Sequence, residues 1–275
     1  MREELLEHID RLIAQRPASK DTLVSYRELV GLMGEVAPQP QKIHVEGRLK
    51  HVKEEEGFPF FSRSDLPLDY EASSALMSKF LDHLAATKRE DAHGLKKALE
   101  LIKGDSDWTR RLFRAVLQKD EENLSRMGKE TDLDPKALLF LAQLAMRPSL
   151  RALRNSISEQ IDKGGWDYGY CPLCGSQPNM AYFDKTGKRH LHCELCGEEW
   201  PHPRLNCPFC QAQEQKSLGY FHSEQEEGFR VDFCRKCNRY IKTVDKRIVE
   251  DAAPMEVEYL ATIHLDLIAH KHGFK

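Results

Sequence analysis

The chain has 275 residues, enough for one large domain or two ordinary ones. It is 40% hydrophobic and 31% charged, and its net charge of −3 offers no strong field to draw in nucleic acid. The longest apolar stretches, such as "ALLFLA" at 137–142, are too short to span a bilayer, and the opening "MREELLEHIDRLIAQRP" lacks the apolar run of a signal peptide. A cytoplasmic protein with no membrane insertion is expected.

Residues 1–163 contain no cysteine and read mostly as helix. In "REELLEHIDRLIA", Leu5, Leu6, Ile9, Leu12 and Ile13 fall on one stripe. Pro17 stops that helix, and a second begins with Ser19 or Asp21 as its cap. Residues 37–68 are rich in Pro and Gly, long for a loop, and predict an ordered excursion that packs Phe58, Phe60 and Phe61. Helical patterns resume at Tyr70, at Ala92 and near Asp107, with Ser106 or Asp107 as cap of the last. Asp134 followed by Pro135 is a favourable helix start, and Pro148 is expected to end that helix and separate it from the next. The stripe Leu138, Leu139, Leu141 and Leu144 reads as core. "KGGWDYGY" at 163–170 breaks the helical pattern. The tail at 253–274 returns to helix, with Met255, Tyr259, Ile263 and Leu267 as its docking stripe.

All eight cysteines lie between these points, in four Cys-x-x-Cys pairs. A reducing compartment disfavours a disulfide framework, so metal binding or redox work is the better reading. Redox work needs a pair at the mouth of a thioredoxin-like unit, and no such pattern surrounds any pair. The pairs also form a duplication: each unit opens with Cys-Pro-[Leu/Phe]-Cys, carries a Tyr-Phe, and closes with Cys-x-x-Cys before an aromatic. A duplicated unit should be self-sufficient. That assigns Cys171, Cys174, Cys193 and Cys196 to one site and Cys207, Cys210, Cys234 and Cys237 to another. A tetrahedral ion with bonds of about 2.3 Å holds its sulfurs under about 4 Å apart, and two intervening residues let one turn present both thiolates. Gly175 and Gly197 suit a left-handed residue after the second cysteine. Asn238 can do the same, while Gln211 is the less comfortable fit. Each unit reads as a rubredoxin-like or zinc-ribbon-like module holding iron or zinc, since four thiolates suit both.

Other residues have plainer readings. His192, His202 and His222 read as half-exposed polar residues, because each site already has four thiolates. Trp200 reads as packing beside the metal. No catalytic set, phosphate loop or paired carboxylate stands out, so no enzyme and no further cofactor is expected.

The strings "CPLCGSQP" (171–178), "RHLHCELCGEEW" (189–200), "RLNCPFC" (204–210) and "CRKCNRYIK" (234–242) resemble the formate dehydrogenase accessory proteins, the FdhE family. The closing "VEYLATIHLDLIAHKHGF" also looks like that family's last helix. The tight resemblance covers residues 168–270; the first half agrees only in helical character. It implies a cytoplasmic maturation factor that engages the catalytic subunit of formate dehydrogenase, with the metal bound by the eight cysteines.

The expected architecture is α plus small β: a helical domain (1–165), two tandem rubredoxin-like modules with four cysteines each (166–203 and 204–250) and a C-terminal helix (251–275). A homodimer is left open, and nucleic acid is not expected as a partner. Two other readings remain: a rubredoxin-like electron-transfer protein and a zinc-ribbon nucleic-acid binder. If one site is labile or functional rather than structural, the less comfortable turn at Gln211 marks the second.

Overall fold

The computed structural model describes residues 2–39, 56–87, 91–157, 160, 165–222 and 226–275. Half of the expected excursion, residues 40–55, and the start of the break at 163–164 lie outside them. The chain divides into two compact units, one containing the described residues of Met1–Glu28, His44–Phe61 and Glu159–Lys275, the other those of Leu29–Ile43 and Ser62–Ser158.

Helices α1 (Arg2–Gln15) and α2 (Lys20–Met33) open the chain. They are followed by α3 (Tyr70–Ala86), α4 (Ala92–Gly104), α5 (Trp108–Gln118), α6 (Glu121–Thr131) and α7 (Pro135–Ile157). In the second unit α3 packs against α4 and α7, burying Leu76, Met77, Phe80 and Leu81. Asp69 and Asp120 cap α3 and α6 by accepting from the amides of Ala72 and Asn123, each at 3.0 Å. This satisfies orphan donors of the first turn. Leu138, Leu141 and Leu144 are buried as the stripe predicts, while Leu139 is only half-buried. Pro148 does not end the helix: α7 runs through it to Ile157. An interior proline removes one amide donor, and Leu144, Leu150 and Leu153 bury on both sides of the gap.

The cysteine-bearing unit is built on one sheet. Its strands are β1 (Pro178–Phe183), β2 (Arg189–Cys193), β3 (Glu199–Pro201), β4 (Leu218–His222), β5 (Phe229–Cys234) and β6 (Arg239–Asp245). The order is β3-β2-β1-β6-β5-β4. Within each repeat the strands are antiparallel, but β1 and β6 run parallel, pairing Met180 with Lys242 and Phe183 with Asp245. The two repeats therefore join as one sheet. β6 has seven residues where its counterpart β3 has three, because β6 is paired along both edges.

One face of the sheet, with Met180, Tyr182, Val231 and Val244, packs against Met255, Leu265 and Ala269. Those come from α8 (Met255–Ala261) and α9 (Ile263–Lys271). The tail is thus two helices broken at Thr262, and the expected stripe is only partly buried. Met255 is covered, while Tyr259 and Leu267 are 38% and 59% exposed. Residues four apart drift round a helix of 3.6 residues per turn, and the break shifts the phase further. Val257, Leu260, Ala261, Leu265 and Ala269 are buried with Met255. Helix α1 belongs to this unit. Arg11 pairs with Asp251, Ser19 Oγ donates to the Ala261 carbonyl at 3.0 Å, and Arg16 lies 4.3 Å over the Phe229 ring. Ser19 is thereby spent on a tertiary bond and does not cap α2.

Candidate metal centres

Each cysteine pair sits on a knuckle turn. At the first pair, Gly175 N donates to Cys171 O at 2.9 Å and Cys171 N to Ser176 O at 2.8 Å. The second repeat copies this, with Gln211 N to Cys207 O and Cys207 N to Ala212 O, both 2.9 Å. The residue after each pair takes a left-handed conformation: φ is 69° at Gly175 and Gly197, 58° at Gln211 and 59° at Asn238. Only two of these four positions have the residue that adopts this conformation freely.

The knuckles converge in the two sets that the duplication implies. In the first, sulfur–sulfur distances are 3.5 Å for Cys174–Cys193 and 3.6 Å for Cys171–Cys196 and Cys174–Cys196. In the second, Cys207–Cys237 and Cys210–Cys234 are each 3.7 Å. All eight thiols are free, and within each set every ligand atom lies within 4.8 Å of the others. A tetrahedral ion with bonds of about 2.3 Å places its sulfurs about 3.8 Å apart, while a disulfide needs about 2.05 Å. Each set can hold one metal ion.

The electrostatics agree with the geometry. Burial pushes the thiols of Cys171, Cys196 and Cys207 up. Burial also opposes ionisation at Cys174, but hydrogen bonds from Cys171, Cys193 and Cys196 outweigh it and hold that thiol well below its ordinary value. Four thiolates side by side in a buried site need a metal to compensate them. Four protein ligands also complete a tetrahedral shell, the donor pattern of a structural site.

The centres differ in their cover. All four sulfur residues of the first are buried, whereas Cys210 and Cys237 of the second are partly exposed. Cover for the first comes from far away in sequence. Phe60 N and Phe61 N donate to Pro172 O and Leu173 O at 2.7 and 2.8 Å, and Tyr170 Oη donates to Gly57 O at 2.5 Å. Pro59 stands 3.1 Å from where a Cβ on Gly175 would sit. Trp166, Tyr168 and Tyr170 pack on one another with ring centroids 4.9–5.4 Å apart. Trp200 is fully buried and donates to Tyr168 O at 3.0 Å. Phe60 is buried and Phe58 is 57% exposed, so the aromatic excursion packs in part, onto a knuckle. The sequence offered no signal that 57–61 would do this.

The histidines sort differently from their sequence reading. His192 and His202 are buried rather than half exposed, and His222 is exposed. His192 Nδ1 lies 2.9 Å from Asn179 Oδ1. His202 Nδ1 lies 3.1 Å from the Pro203 carbonyl, which makes it the donor, and Nε2 has no partner among the described residues. Burial, helped by the charge of Arg189, lowers its pKa to about 4. Neither ring joins either sulfur set. The segment 198–206, which sequence alone suggests is the hinge between the two modules, is held at several points. His202 N donates to Arg189 O, and Arg189 Nη1 to Asn206 O, both at 3.0 Å. No helix among the described residues is long and apolar enough to cross a membrane.

Comparison with known proteins points one way. A family model described as FdhE, central domain, matches residues 170–204, the stretch that holds the first centre. The FdhE homologue of Aquifex aeolicus is 32% identical over 166 residues, 59% of this chain and 58% of that protein. The homologue of Shewanella oneidensis is 27% identical over 208 residues, 70% of this chain and 67% of that one. The match to the first of these relatives thus spans less than two thirds of its length. The crystal structure of the FdhE protein from Pseudomonas aeruginosa superposes with a TM-score of 0.69 at 23% identity, covering 100% of this chain and 93% of that one. At that identity the likeness speaks for the fold.

Proposed function

We propose, for a chain that belongs to the FdhE family, that it is a cytoplasmic maturation factor that binds the catalytic subunit of formate dehydrogenase and assists its assembly. The observation that carries this is the pair of closed four-cysteine sets on one continuous sheet. Each set fills the shell of a tetrahedral ion with protein ligands. A metal so bound holds the knuckles in place and supplies folding energy; it gives substrate no coordination position. What it rigidifies is a surface, which suits a binding protein better than an enzyme. Cys171, Cys174, Cys193 and Cys196 hold one ion and Cys207, Cys210, Cys234 and Cys237 the other, iron or zinc.

The test is co-purification with the catalytic subunit, together with formate dehydrogenase activity in a strain lacking this protein. Capture by the wild type, lost in Cys207→Ser/Cys210→Ser, supports the reading. Undiminished dehydrogenase activity in the deletion strain sinks it. A second reading, outer-sphere electron transfer, draws on the partial exposure of Cys210 and Cys237. It requires iron, so metal content and a visible spectrum that bleaches on reduction decide it.

A further inference from the structure

The face of the sheet opposite the C-terminal helices carries a cleft of about 470 Å³ beside the second centre. Its walls hold four arginines, Arg189, Arg204, Arg230 and Arg239, against a single carboxylate among the described residues, Asp232. Asp232 is already engaged, accepting from Arg230 Nη2 at 3.0 Å and Thr243 Oγ1 at 2.6 Å. A loaded divalent centre with four thiolates brings two negative charges to the Cys207 and Cys234 wall and still leaves the cleft positive. In a chain of net charge −3, this is a local reversal of sign. Such a concave positive site focuses its field outward and selects an anion.

The aromatic rings of the cleft fix the guanidinium groups in place. Arg204 and Arg230 lie 4.8 and 4.6 Å over Phe183, Arg230 also 4.6 Å over Tyr220, and Arg239 3.7 Å over Phe209. Stacked in this way, an arginine keeps its N–H edge for a carboxylate. The Nε atoms of Arg189 and Arg230 and Asn206 Oδ1 have no partner among the described residues. At the rim, Leu205 and Tyr220 are 68% and 59% exposed. β4 ends the strand order, so its outer backbone edge has no strand partner among the described residues. An exposed tyrosine beside an arginine cluster matches the Tyr and Arg enrichment of protein-binding hot spots, and an open edge accepts an extended chain.

We propose that this cleft docks an extended acidic peptide segment of the partner protein, its carboxylates held by Arg204 and Arg230 and its apolar side chains by Leu205 and Tyr220. The proposal rests on the partner-binding function above and names the surface that performs it. Single-stranded nucleic acid is the competing anion, and the geometry disfavours it. Phe183 and Phe209 are occupied by guanidinium groups, whereas base stacking needs open ring faces.

The experiment uses the full, metal-loaded chain and two ligands. The first is a fluorescein-labelled peptide of alternating Glu and Leu, about a dozen residues long to span an edge strand. It is compared by anisotropy with the same peptide carrying Lys for Glu and with a dT oligonucleotide. The Glu peptide should bind, weaken with salt, and lose about tenfold or more in affinity to Arg204→Glu. Arg204 is exposed, so the variant should keep its metal content and circular dichroism. Oligonucleotide binding without peptide binding, or equal peptide affinity in wild type and Arg204→Glu, overturns the proposal. The second ligand is the intact catalytic subunit. If wild type and Arg204→Glu capture it equally, the cleft is not its dock, although the partner function stands. If the peptide binds as described and the subunit is not captured by wild type, the partner function falls and the acidic-peptide site stands.

Discussion

The two candidate metal centres are copies in sequence and unequal in structure. The first is sealed beneath residues 57–61 and the Trp166–Tyr168–Tyr170 stack, with glycine at both left-handed knuckle positions. The second leaves Cys210 and Cys237 partly open and forces Gln211 and Asn238 into the left-handed conformation. It also borders the arginine cleft. A duplicated cysteine set thus comes with two different degrees of cover: the first is enclosed, while the second leaves Cys210 and Cys237 within reach of solvent.

The largest expected effect separates the copies directly. Cys174→Ser should abolish the folded cysteine-bearing unit, because a structural tetrahedral site contributes on the order of 10 kcal/mol. Cys237→Ser should leave a folded protein with one metal per chain. Metal content and thermal unfolding of the two variants check this, and equal loss in both would erase the distinction. Chelation sharpens it further. Challenged with excess EDTA, the protein should release one equivalent of metal well before the other, with the slow one lost only on unfolding. Simultaneous release would contradict the difference in cover.

Two predictions concern the segments that join the copies. A Cβ on Gly169 would sit 1.8 Å from the Pro208 carbonyl oxygen, where the chain entering the first centre crosses the knuckle of the second. Gly169→Ala must displace backbone and should cost about 3 kcal/mol in urea unfolding. His202 gives a pH dependence. Its pKa of about 4 lies below the unfolded value of about 6.5, so the native state favours the neutral ring. The stability this provides is complete above a pH of about 6.5 and is lost as pH falls toward about 4, about 3 kcal/mol in all. The urea midpoint of His202→Gln should fall less steeply than that of wild type across this window.

The smallest effect tests the second knuckle. Gln211→Gly relieves a left-handed conformation costing about 1–2 kcal/mol, offset by about 0.5–1 kcal/mol of glycine entropy. A net gain of about 0.5–1 kcal/mol, read from the unfolding midpoint, is expected. No gain would mean that Gln211 is at ease there.

Much of this site could be read without coordinates. The repeat paired the cysteines, and the two-residue spacing implied the knuckles. Gly175, Gly197 and Asn238 announced left-handed turns, and Gln211 stood out as the misfit. The helices with periodic burial, such as α3 from Tyr70, were equally plain, although its Asp69 cap was not. Readings failed where a residue's fate depends on distant neighbours. Ser19 reads as a cap but is drawn to the Ala261 carbonyl; Pro148 reads as a stop but is carried through by packing on both sides. Thr262 breaks a tail whose stripe looked continuous.

The sequence by itself determined the four cysteine pairs, their division into two sets and the likeness to the FdhE family, because these depend on local spacing and on short specific strings. Only the tertiary structure decided that the modules fuse through β1 and β6 into one sheet, that residues 57–61 seal one centre, and that four arginines scattered between 189 and 239 face one cleft. Those outcomes depend on strand pairing and burial between residues far apart in the chain. Local patterns of two or three residues carry no record of such encounters.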